Sequence, residues 1–245
     1  MGEKCRLTGD LFSLEMVYPC LTPNNKEDYT MKKNLTELVF ILDESGSMYH
    51  LREDTIGGFN SMIEKQRSVA GEAIVSTVLF NTENKVVHDR VAISEVKPMT
   101  DKDYVPSGCT ALLDALGGAM HHIGIVHKYA RPEDVPERTL FVITTDGMEN
   151  ASHRYTLDKV KAMIESRQKK HGWEFLFVAA NIDAIGTAAT MGIAPDRAVN
   201  YVPDAQGTDL FMEELCDAVT AMRTEKAIPI NWNARTNADY EARNL

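Results

Sequence analysis

The chain reads as an α/β domain on a Rossmann-like, doubly wound, mostly parallel sheet with one antiparallel edge strand. Two observations carry that reading. Apolar runs of strand length recur at residues 38–42, 73–80, 140–145 and 173–180. Between most of them lie segments with apolar residues at helical spacing, joined by short loops. The 245 residues are 44% hydrophobic and 25% charged, with no Pro/Gly/Ser-rich linker in the centre, so the composition is that of one soluble globular domain. The chain divides into an N-terminal extension (1–34), the domain (35–224) and a C-terminal tail (225–245).

Residues 1–34 mix short apolar pieces with Pro19, Pro23 and the polar run 24–28, and read as a strand or loop laid over the body. Met31-Lys32-Lys33 offers an alternative start, with the first thirty residues as an upstream extension. The opening strand, Leu38 to Leu42, ends in Asp43 and a hydroxyl-bearing turn. Ile56, Phe59 and Ile63 then mark an amphipathic helix to about Val69. Residues 73–80 are a buried β-branched strand. A four-residue polar turn leads to a second arm at 86–93, whose His88, Asp89 and Arg90 place it on the sheet edge. After the loop 98–108, Leu112, Leu116, Ala119, Ile123 and Val126 share one helix face. Pro132 and Pro136 mark a loop before Leu140 to Thr145, which repeats the opening pattern by running into Asp146.

Thr156 is placed to cap a helix with Asp158 in its first turn, Lys169 and Lys170 in its last, and Gly172 beyond its end. The rest is a strand to Ala180, a short helix at 183–192, a short strand at 198–201 and a helix from Thr208 to Arg223. The tail, with Pro229, Trp232 and mostly polar residues, is expected on the surface.

The formal net charge is -10 and no basic stripe stands out, which argues against a nucleic acid or an anionic membrane as partner. Cys5, Cys20, Cys109 and Cys216 follow no metal-ligand or disulfide spacing and fit a reduced, intracellular compartment. No apolar run reaches the length of a membrane-spanning helix.

In open parallel sheets ligands collect beyond the carboxyl ends of strands. Asp43 and Asp146 both sit at such ends, and Ser45, Ser47 and Thr110 add hydroxyls from neighbouring loops. Every donor is oxygen, which selects a hard cation, Mg²⁺ or Mn²⁺, over zinc or copper. Singly, each piece has a plain structural reading: a polar turn at 43–47, a helix cap at Thr110, a turn at Asp146-Gly147. It is their joint placement that points to a metal.

DESGS, GCTALLDA and TTDG resemble the three sequence pieces of the metal-ion-dependent adhesion site (MIDAS) of von Willebrand factor A (vWA) domains, over about residues 36–223. The resemblance implies that Ser45, Ser47 and Thr110 bind the ion directly in some states, while Asp43 and Asp146 act directly or through water. It implies a non-catalytic domain whose ion is completed by an Asp or Glu of a partner protein. The compactness is similar to that of stand-alone bacterial members, implying a cytoplasmic adaptor or subunit. The oligomeric state and the partner's identity stay open.

Two other readings remain. A phosphohydrolase using the same ion as a Lewis acid would need a base or phosphate-binding group, for which His50, Arg52, His153 and Arg154 stand near the motifs. A purely structural domain would leave the site empty. His121, His122 and His127 lack zinc spacing and read as a partly exposed helix face. Ser45 has no nucleophile-elbow context, no phosphate-binding glycine loop occurs, and Cys109 reads as a buried structural cysteine. Glu44 adds a charge beside the ligands, with an effect the sequence leaves undecided.

Overall fold

The computed structural model describes residues 31–243; the readings of residues 1–30 lie outside them. Six strands, β1 (Lys32–Asp43), β2 (Glu72–Phe80), β3 (Asn84–Ala92), β4 (Pro136–Thr145), β5 (Glu174–Ala179) and β6 (Ala198–Asn200), form one sheet in the order β3-β2-β1-β4-β5-β6. All neighbours pair in parallel except β2 and β3, the predicted hairpin, and β3 is the charged edge.

The apolar runs are continuous because the sheet is covered on both faces. Leu38, Phe40 and Leu42 of β1 pack with Phe59, Met62 and Ile63 of α1 (Arg52–Arg67) and with Phe211, Leu215 and Val219 of α5 (Ala205–Thr224). Val39 and Ile41 face the other way, onto α2 (Leu112–Tyr129), α3 (Leu157–His171) and α4 (Ala184–Thr190). Thr156 accepts a hydrogen bond from the Lys159 amide at 3.3 Å, and Gly172 closes α3 in the left-handed region at φ 62°, as its sequence predicts. Asp204 caps α5 through the Gly207 amide at 2.8 Å, so that helix starts earlier than Thr208.

Two expectations give way. Pro136 opens β4 instead of marking a loop, a position where a strand tolerates proline because its missing N–H is not needed by the ladder. The tail is not a surface strip. Ile228 and Trp232 are buried in the core, Trp232 Nε1 donates to the Asp196 carbonyl at 2.9 Å, and α6 (Ala234–Arg243) packs on α5. Buried Glu214 of α5 accepts the Arg235 and Thr236 amides, both at 2.8 Å, and so satisfies donors that a helix start leaves over. The histidines lie on a partly exposed helix face, as expected. His121 and His122 are exposed, but His127 turns inward and its Nε2 lies 2.5 Å from Oε2 of Glu37, a fully buried carboxylate of β1. Arg90 Nη1 of β3 lies 3.2 Å from Oε1 of the same carboxylate, without hydrogen-bond alignment.

Candidate metal centre

β1 ends at Asp43 between β2 and β4, with no solvent exposure. Asp43 Oδ1 accepts the Ser45 amide at 2.7 Å, a local closure that Asp favours after a strand. Its Oδ2 accepts the Thr145 hydroxyl at 2.6 Å from the end of β4. The chain then enters a 3₁₀ turn, Gly46–Leu51. The Ser45 and Ser47 hydroxyls stand 3.0 Å apart, and Ser47 donates to Asp146 Oδ1 at 2.6 Å. Asp146 Oδ2 is buried and has no hydrogen-bond partner.

Thr110 comes from the loop ahead of α2. Its Oγ1 lies 3.6 Å, and Ser47 Oγ 3.9 Å, from the point where a Cβ on Gly147 would sit. The structure therefore gathers Asp43, Ser45, Ser47, Thr110 and Asp146 at the carboxyl end of β1 and β4, in the crevice where the sheet order reverses.

Several residues that hold this arrangement were not singled out by sequence reasoning. Asn150 grips the Thr110 backbone from both sides: its Oδ1 accepts the Thr110 amide at 2.9 Å and its own amide donates to the Thr110 carbonyl at 3.0 Å. Thr110 is not the cap of α2. The first amides of that helix go instead to Glu149 Oε2 (from Leu113, 2.9 Å) and Ser152 Oγ (from Asp114, 3.0 Å). The Asp114 carboxylate accepts the amides of His153, Arg154 and Tyr155 at 2.8–2.9 Å, stitching the loop after β4 to α2. Tyr104 donates its hydroxyl to the Asp43 carbonyl at 2.5 Å. A signal for Thr145 existed, since a hydroxyl pair, Thr144-Thr145, closes an otherwise apolar strand.

Glu44 is buried, and its Oε1 accepts the Val105 amide at 2.5 Å, making it a strut for the loop 98–108. His50 Nδ1 faces the Ser47 carbonyl at 2.8 Å, and Arg52 donates to the carbonyls of Tyr104 and Asp101. Cys109, expected to be buried, is exposed beside Thr110.

Burial raises the Asp43 carboxyl above the ordinary carboxylate range; bonds from Thr145 and Ser45 oppose this and the Asp146 charge adds to it. Two tyrosines sense the same negative field. Burial raises the Tyr201 phenol, helped by Asp146 and Asp43, and raises that of Tyr104, helped by Asp43. Among the described residues no group of three or more His, Cys, Asp and Glu forms a metal cluster. The donor set is two carboxylates with three hydroxyls, and the unpartnered buried Oδ2 of Asp146 is an acceptor without a donor. A hard divalent cation fits both facts.

The fold is that of von Willebrand factor A domains. Proximal thread matrix protein 1 from the mussel byssus shares 14% identity with a TM-score of 0.53, over 76% of this chain and 46% of that one. A von Willebrand factor type A protein from Catenulispora acidiphila shares 12% identity at TM-score 0.51, over 78% of this chain and 43% of that one. A mutant of the PilB minor pilin from Streptococcus sanguinis shares 11% at TM-score 0.58, over 80% and 64%. The chain thus spans less than two thirds of the length of these structures. The likeness is one of fold, since no family model matches and no curated protein matches the sequence.

Proposed function

We propose that this is a divalent-metal-dependent protein-binding domain in which Asp43, Ser45, Ser47, Thr110 and Asp146 hold the ion. The observation that carries this reading is Asp146 Oδ2, a buried carboxylate oxygen with no donor, beside two serine hydroxyls and a second buried carboxylate. A structure of the mussel thread protein with its adhesion motif occupied by zinc, at 15% identity and TM-score 0.51 over 79% of this chain and 47% of that one, supports a divalent ion for the fold. The all-oxygen donors favour Mg²⁺ or Mn²⁺ here.

When bound, the ion supplies an electrophilic position for an Asp or Glu of a partner protein. The chain's own residues fix that position. Thr145 and the Ser45 amide orient Asp43, Ser47 ties the hydroxyl turn to Asp146, and Asn150 sets Thr110. His50 and Arg52, two of the groups an enzyme would draw on, are engaged with main-chain carbonyls, which supports a binding role over phosphoryl chemistry. Among the described residues no helix is long and apolar enough to cross a membrane; a cytoplasmic adaptor role is part of the proposal.

The test is calorimetric titration with Mg²⁺ and Mn²⁺, followed by an Mg²⁺-dependent pull-down compared with Asp146→Ala. Saturable heat and captured protein, both lost in the variant, are expected. No heat from the wild type overturns the metal site. Phosphatase turnover with Mg²⁺, abolished by Asp43→Ala, overturns the non-catalytic role.

A further inference from the structure

At the opposite end of the sheet a groove of about 580 Å³ opens between the carbonyl ends of α2 and α3. That volume lies within the range of small-molecule sites. In a chain with 36 Asp and Glu residues, none among the described residues lines it. Instead Arg167, Lys170, His171, Lys128 and His127 are among its lining residues, His127 with its Nε2 turned to the buried Glu37. Its apolar wall is built from Ile125, Val135 and Pro136.

Basic side chains at helix carbonyl ends are ordinary, because they complement the backbone dipole; Lys170, His171 and Lys128 are accounted for on that ground alone. Arg167 is not. It sits a turn inside α3 with its guanidinium laid flush on α2 at Gly124, where a Cβ would come within 2.0 Å of Nη2. Its Cζ lies 4.9 Å from the centre of the Trp173 ring. The His127 ring, 5.5 Å away, and the His171 ring, 6.4 Å away, pack on the same indole. Among the described residues Arg167 has neither a carboxylate partner nor a hydrogen-bond acceptor. A guanidinium carries N–H donors in a fixed fork suited to bidentate oxyanions. Burial lowers the Arg167 pKa. His171 is lowered by burial and then by Arg167, His127 and Lys170, a crowding of positive charge that an anion relieves.

We propose that this groove binds a small phosphate monoester, its phosphate held by Arg167 with Lys170 and its apolar body on the Ile125, Val135 and Pro136 wall. The groove shares no lining residue with the metal centre.

The experiment is calorimetric titration of the full chain with phenyl phosphate and with inorganic phosphate at constant ionic strength. EDTA is present so that no ion at Asp43 and Asp146 takes part. The two tryptophans, Trp173 and Trp232, give separate indole N–H signals by nuclear magnetic resonance. Saturable binding is expected, tighter for phenyl phosphate, with the Trp173 signal moving and that of Trp232 unchanged. Arg167→Gln should weaken it at least about tenfold, as loss of a charge-assisted hydrogen bond does, and Lys170→Gln by a smaller factor. If Arg167→Gln does not fold, the exposed Lys170→Gln decides. No saturable binding, binding unchanged in the folded variants, or movement of Trp232 in place of Trp173 overturns the proposal.

Discussion

Replacing Asp146 with asparagine should reverse the stability order of two proteins between two buffers. Without an ion, Asp146 Oδ2 is buried and unpartnered, and its charge acts on the buried Asp43. Such an orphaned polar atom costs about 1–3 kcal/mol, and more when charged. Asparagine keeps Oδ1 as acceptor for Ser47, now 2.6 Å away, and puts a neutral amide nitrogen in place of Oδ2, so that the part of the cost due to charge is relieved. In EDTA the variant is therefore expected to melt at the wild-type temperature or a few degrees above, since a chain of this size shifts by about 2–4 °C per kcal/mol. An ion held at a hundred times its dissociation constant stabilises the native state by about 2.7 kcal/mol, hence roughly 5–10 °C on the same scale. Wild type should gain that increment in Mg²⁺ and Asp146→Asn little of it, leaving the variant lower. Scanning calorimetry in the two buffers reads both numbers. A variant melting several degrees below wild type in EDTA, or one that gains the full Mg²⁺ increment, would refute the reasoning.

Asn150→Ala removes the side-chain acceptor for the Thr110 amide; Mg²⁺ affinity by calorimetry should fall about tenfold, the order seen for groups that orient metal ligands. Burial pushes the Asp114 carboxyl up, but the amides of His153, Arg154 and Tyr155 outweigh it and hold it below the ordinary range. Its contribution is thus complete above the unfolded carboxylate value and lost as pH falls through the lower folded one, so the urea-midpoint gap between wild type and Asp114→Asn should shrink below about pH 4. Trp232→Ala should cost about 3–5 kcal/mol, the usual penalty for emptying a buried aromatic site. A change under 1 kcal/mol by urea unfolding would restore the surface-tail expectation.

The fold was legible because β1, β2, β4 and β5 are covered on both faces and so carry unbroken apolar runs. The candidate ligands were legible because their hydroxyls and carboxylates cluster at strand ends. The supports were not. Asn150 and Glu149 look like any polar loop residues until α2 is seen to lack side-chain capping of its own. Glu37 and His127 meet across 90 residues of sequence, a pairing no local pattern encodes. The tail misled because Ile228 and Trp232 stand alone among polar neighbours, with no helical period before Ala234.

The attachments of α2 make it a beam clamped at both ends. Its amide end is held by Glu149 and Ser152, next to Thr110, and its carbonyl end by Glu37 through His127. Fourteen positions separate Leu113 from His127, about 21 Å of rigid helix. Thr110 is therefore positioned by the whole span and not by its loop alone. Loosening the far clamp, as Glu37→Gln would, hands the near end a degree of freedom it otherwise lacks, so the precision of the candidate site is partly stored on the opposite edge of the molecule.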